Sequence, residues 1–256
     1  MEGLLKKEWP LMRWELVALV FVDIVIVGTS LEYVLFDAQN YFTLENQWLH
    51  EILIIVHLVA GVFLIYQSLN REMKRPDIWL HSPKPLWKLV GAKVLFSAFV
   101  VMCSLLLCEV IIGVSYYVGG GTIPILDGIT LLFSISTAIL LNSIYIMALG
   151  FFFWTIYQVM RSRIGWFSIV ITIGLFYVWA YCWALLYFKE WFSTIKEMGP
   201  IKLTEGLPYI KYNNYIFTGL VPEGAILSIG SLLLYVVMIA IYFLAGSVLF
   251  EKKVRL

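Results

Sequence analysis

The chain has 256 residues, 61% apolar and 14% charged, with a net charge of +1 and a mean hydropathy of +0.88. Soluble domains average about 45–50% apolar and about 25% charged residues, and a soluble globule of this composition would expose large aggregating patches. The same figures exclude a disordered chain and a disulfide scaffold, and the near-zero net charge gives no sign of a nucleic-acid partner.

In chain order, residues 1–15 mix Leu4, Leu5, Trp9, Leu11, Met12 and Trp14 with Lys6, Lys7 and Arg13. That mixture predicts a short amphipathic helix on the inner leaflet, with Pro10 as a kink point. A membrane-crossing helix needs about 20 apolar residues. Six stretches qualify: 16–36, 49–69, 94–118, 129–159, 164–188 and 225–250. The fourth exceeds one upright span, so it tilts or runs past the bilayer. A β-barrel would show short strands of alternating polarity instead. No cleavable signal peptide is expected, because the first apolar stretch is long and no small-residue cleavage site follows it. The polar connections are too short for a separate core, and the two halves show no repeat. The expected fold is therefore all-α: one polytopic domain over 1–256 with six transmembrane helices.

Lys and Arg residues set the expected orientation. The N-terminus, the second and fourth connections and the C-terminal tail carry 14 of them. The first and third connections carry none. The fifth carries four, Lys189, Lys196, Lys202 and Lys211, balanced by four glutamates. The positive-inside rule then predicts both termini in the cytoplasm and residues 189–224 as an extracellular segment.

Enzyme motifs are incomplete. His50-Glu51 lacks the second His at i+4 that a zinc-protease helix requires, and Gly119-Gly120-Gly121-Thr122 lacks the Lys of a phosphate loop. No Gly-x-Ser-x-Gly elbow occurs. No metal site is expected, because Cys103, Cys108 and His81 lie in other segments than His50 and His57. All three cysteines lie in apolar stretches and read as small core residues. Three acids lie within predicted spans: Asp23, Glu32 and Glu109. An ionised acid at the bilayer centre costs about 2.5–3.5 kcal/mol on insertion scales. Asp23, Glu109 and His57 are thus candidate intramembrane polar residues. They serve either a proton or substrate path, or plain hydrogen bonding between helices, with Asn142, Ser143 or Thr155 as partners.

The second connection, 70–93, carries the strongest pattern. Pro76 suits a first helical position and Asp77 the positive helix end. Ser82-Pro83 ends that helix, and Pro85 starts another segment that runs into the third span. The result is a proline-bracketed cytoplasmic helix showing Ile78, Trp79 and Leu80 among charges. This helix serves either as a partner surface, since Trp and Arg dominate protein interfaces, or as an interfacial helix on lipid with its basic residues at headgroups.

Glu72, the closely spaced Leu80–Pro83 and Ala92-Lys93 resemble the loop after the second span in membrane subunits of type-2 ATP-binding-cassette exporters, especially small bacterial permeases. The layout of the whole chain is similar to that family. The outer segment is short, and no large extracellular domain names a substrate. The resemblance implies an exporter permease in the bacterial inner or plasma membrane that is not itself an enzyme. It implies a coupling helix near 75–81, with Arg75, Asp77, Trp79 and His81 facing the partner. It implies an ATPase partner chain that binds ATP and Mg, no cofactor in this chain, and a second permease subunit, identical or homologous. It also allows short re-entrant helices in the outer segment. The competing expectation is an integral membrane enzyme or proton-coupled carrier that uses Asp23, Glu109 and His57.

Overall fold

The computed structural model describes residues 2–36, 47–74, 85–120, 124–200 and 228–253. These residues form eight helices: α1 (Glu2–Leu11), α2 (Arg13–Phe36), α3 (Gln47–Glu72), α4 (Leu86–Val118), α5 (Ile125–Ile164), α6 (Phe167–Tyr187), α7 (Glu190–Lys196) and α8 (Ile229–Lys253). Among the described residues there is no strand, only an isolated bridge between Pro200 and Ser228. Six helices, α2 to α6 and α8, are long and apolar enough to cross a membrane. The chain is built as a multi-pass membrane protein.

Local chemistry sets the boundaries. α1 ends one residue after Pro10, whose ring removes a backbone donor and crowds the preceding turn. Pro85 and Pro124 stand immediately before α4 and α5 in extended conformations, which suits a residue lacking an N–H at a helix entrance. Gly165, with φ +60°, follows α5, and its N–H bonds back to the Arg161 carbonyl at 3.1 Å. That positive φ is one a side chain would strain, so glycine turns the chain into α6 within two residues.

Four spans are longer than their apolar stretches, α4 and α5 by the most. α4 starts at Leu86 rather than 94, and α5 extends to Ile164 rather than 159. Polar residues at a helix end close a hydropathy window without stopping the helix. The fifth span accordingly begins at Phe167, not 164. At about 1.5 Å per residue, the 40 residues of α5 span about 60 Å, twice the hydrocarbon thickness of about 30 Å.

α5 is the central post and packs against α3, α4, α6 and α8, while α2 packs on α3 and α4. One core cluster joins α3, α4, α5 and α8 around Leu69, Leu86, Phe151 and Phe250. The Trp154 ring stacks on Phe250 with centroids 5.5 Å apart. A second cluster gathers α5 to α8 around Tyr145, Phe192, Tyr235 and Tyr242. There the Trp179 indole donates to the Tyr242 hydroxyl at 2.8 Å. α6 buries only Ser168. Exposed Phe21, Leu107, Val178 and Val236 give α2, α4, α6 and α8 apolar outer faces suited to lipid. The cysteine expectation holds for one residue: Cys108 is buried, but Cys103 and Cys182 are exposed.

Candidate functional site

One end of the bundle carries a buried ionic network. Lys93 on α4 is 2% exposed and Glu8 on α1 is 4% exposed. The Lys93 ammonium donates to Glu8 Oε1 at 2.7 Å, to Ser68 Oγ at 2.6 Å and to Glu72 Oε1 at 3.2 Å. An ammonium has three donors, and all three are used. Ser68 passes its own hydrogen to Glu8 Oε2 at 2.6 Å. Lys7 reaches Glu72 at 2.6 Å. Arg71 pairs with Glu15 and reaches the Met12 sulfur at 3.7 Å. α1 is thereby tied to α3 and α4 by charge as well as by packing.

The same end fixes both sides of the 75–84 connection. Glu72, two residues before the last described residue of that approach, is held by Lys93. On the far side, Glu251 Oε1 of α8 accepts the Leu86 N–H at 3.0 Å. A carboxylate on a first-turn N–H satisfies an orphan donor and meets the positive end of the helix dipole. The Trp154 indole donates to Asn70 Oδ1 at 3.0 Å, adding a tie from α5 to the end of α3. Arg75, Asp77, Trp79 and His81, the expected coupling residues, lie outside the described residues, as does 201–224 of the expected extracellular segment.

A second polar group lies in the middle of the spans. Asp23 on α2, His57 on α3 and Cys108 on α4 are all buried, and their ligand atoms lie within 4.8 Å of one another. His57 Nδ1 donates to the Leu53 carbonyl at 2.8 Å. A carbonyl only accepts, so the tautomer at Nδ1 is fixed. His57 Nε2 stands 3.0 Å from Ser104 Oγ and 3.7 Å from Asp23 Oδ1. The Ser104 hydroxyl donates to Asp23 Oδ2 at 2.5 Å. Cys108 packs in one apolar cluster with Ile26, Val27, Leu53 and Leu105.

Glu109, the third candidate, does not join this group by hydrogen bonding. It is buried and accepts from the Ser136 hydroxyl of α5, which also lies against the Leu132 carbonyl at 2.9 Å. The acids therefore bond to Ser104 and Ser136 rather than to Asn142, Ser143 or Thr155. Thr155 instead donates to its own helix, at the Phe151 carbonyl, 3.0 Å away. Glu32 is exposed near the end of α2.

Sequence reasoning reached Asp23, His57 and Glu109 because charge and imidazole stand out in an apolar run. It read Cys108 as a small core residue and missed Ser104 and Ser136; these are ordinary residues in a span and become partners only through helix rotation and depth. Compared with family models, curated proteins and solved structures, the chain matches none.

Proposed function

We propose that this chain is the membrane-spanning permease subunit of a type-2 ATP-binding-cassette exporter of the small bacterial kind. It belongs to the inner or plasma membrane, with both termini cytoplasmic, α1 along the inner leaflet and 189–224 outside. The observation that carries this reading is the Glu72–Lys93 ion pair. These are the two charged members of the exporter-like loop pattern, 21 residues apart in sequence. Their contact, with the Glu251 cap on Leu86, draws the flanks of the 75–84 connection to one end of the bundle. A short segment clamped on both flanks passes a push from a docked partner directly to α3 and α4. Six apolar helices and the 14-to-4 bias of Lys and Arg support the same layout.

In this reading Arg75, Asp77, Trp79 and His81 face the ATPase. ATP and Mg are bound by that partner chain, since this sequence has no phosphate loop. A second permease subunit, identical or homologous, completes the pathway.

The test is purification of the tagged permease from its native membranes and identification of the ATP-binding-cassette ATPase that elutes with it. The two are expected to elute together with ATPase activity. Truncating a buried Trp anchor costs about 2 kcal/mol, so Trp79→Ala weakens the complex about thirtyfold while the permease still inserts. Asp77→Lys also weakens it, with a stronger dependence on salt. If both variants leave association and ATPase rate unchanged, the 75–81 segment rests on lipid and the coupling assignment fails.

A further inference from the structure

We propose that Asp23, His57 and Cys108 form an intramembrane binding site for a zinc-class divalent cation. The case begins with a count of hydrogens. His57 Nδ1–H is committed to the Leu53 carbonyl, and the one hydrogen of Ser104 is committed to Asp23 Oδ2. A neutral imidazole then turns its Nε2 lone pair toward Ser104 Oγ at 3.0 Å and Asp23 Oδ1 at 3.7 Å, with no hydrogen between them. Asp23 is 4% exposed, and its Oδ1 has no hydrogen-bond partner. It lies 3.7 Å from Nε2, and the Cys108 thiol, a weak donor, hydrogen-bonds to the same carboxyl group. Buried polar atoms are normally satisfied, and leaving a carboxylate oxygen unpaired in an apolar shell is costly. The group lacks one positive centre.

The donor set favours a metal ion over a bare proton. A proton on Nε2 would serve Asp23 and Ser104, and the Cys108 thiol, which already hydrogen-bonds to Asp23, would stay a weak donor and no ligand. A cation uses all three side chains, which come from three separate helices. Imidazole nitrogen, carboxylate oxygen and thiolate sulfur are the ligands zinc takes. A metal-bound imidazole is typically oriented by a hydrogen bond from its other nitrogen to a carbonyl or carboxylate, which the Leu53 contact supplies. A tetrahedral site with bonds of about 2.1 Å has edges of about 3.4 Å. The Nε2–Oδ1 edge, at 3.7 Å, is close to that, and all the ligand atoms lie within 4.8 Å of one another. Charge also balances. On binding, the Cys108 thiol gives its proton to solvent as the sulfur–metal bond forms, and the aquo ion sheds water. Thiolate and carboxylate together cancel the two positive charges, and the imidazole is neutral. The loaded site carries no net charge into the bilayer, which is the inexpensive state there. Ser104 Oγ, 3.0 Å from Nε2, or a water would supply the fourth ligand.

The experiment uses the full chain in detergent, stripped with a chelator, with Cys103→Ser and Cys182→Ser removing the exposed thiols. Cobalt is the optical probe. The expected result is saturable binding of one Co2+ per chain, with a near-ultraviolet thiolate-to-cobalt band and intense visible bands that zinc displaces. Cys108→Ser removes the near-ultraviolet band. His57→Gln and Asp23→Asn each weaken binding at least tenfold. Zinc raises the thermal midpoint of the parent and not of His57→Gln, so loss of binding is separated from loss of folding by the unliganded midpoints. Absence of saturable cobalt binding in the parent overturns the site, as does a thiolate band that survives Cys108→Ser.

Discussion

At the scale of single residues, the most exacting position is Lys93. Desolvating an ammonium costs several kcal/mol, and only good geometry and full pairing offset it. Glu8, Ser68 and Glu72 supply that pairing. Lys7 bonds to the same Glu72 oxygen, but its side chain is 51% exposed. Solvent screens such a pair, and exposed ion pairs contribute about 0–1 kcal/mol. Removing one partner of a buried pair typically costs about 3–5 kcal/mol, because the other charge is stranded. Lys93→Met is therefore expected to lower the thermal midpoint in detergent far more than Lys7→Met. It should also release α1, read as faster proteolysis near residue 12. Equal midpoints for the two variants would mean that Glu8 is not held by Lys93. Lys93→Arg is not expected to restore the parent, since a planar guanidinium does not fit three acceptors set around one ammonium.

At the scale of elements, the bundle depends on close approach of helices along α5. Lipid gives helices no hydrophobic reason to associate, so small residues that admit tight packing become important. A Cβ on Gly61 of α3 would lie 2.9 Å from Met147 Cε and crowd Ser143 Oγ. A Cβ on Gly246 of α8 would meet Phe151 at 2.8 Å. Gly28 and Gly174, on α2 and α6, have open space there. Gly61→Val and Gly246→Val are expected to destabilise by about 1–3 kcal/mol, the usual cost of overpacking, and Gly28→Val and Gly174→Val by much less. Thermal midpoints of the four variants in one detergent check this, and a uniform response would remove helix contact as the cause. Element existence was legible in the sequence because apolar run length alone marks a span. The ends were less so: Lys88, Lys93, Arg161 and Arg163 stop a hydropathy window, yet α4 and α5 run through them. Contacts between helices were not legible at all. Nothing in linear spacing brings Cys108 to His57, since that depends on how far each helix rotates and how deep each residue sits.

At the scale of the whole molecule, the polar ends are sorted. Glu8, Glu15, Arg71, Glu72, Lys93 and Glu251 converge near one end of the bundle, through contacts among α1, α2, α3, α4 and α8. Helices that alternate in direction bring Arg161 and Arg163, at the end of α5, to that same end. The other end has a different chemistry. There α7 packs against the start of α8, the Ser228 hydroxyl donates to the Lys196 carbonyl at 2.5 Å, and the Lys196 ammonium lies 4.5 Å from the Tyr187 ring centre. Cations at the first end take part in a network with anionic side chains and remain in excess in the sequence, which is what the positive-inside rule assigns to the cytoplasm. The proposed topology can be read by cysteine labelling in intact cells, with the native cysteines replaced by serine. A cysteine at Asn40, Gly120 or Asn213 is expected to react with an impermeant maleimide added outside. One at Lys88, Arg163 or Lys253 is expected to react only after permeabilisation. Labelling of the Lys88 site from outside would invert the molecule. It would put the 75–84 connection beyond the reach of any cytoplasmic ATPase, and the permease proposal would fall with the topology that supports it.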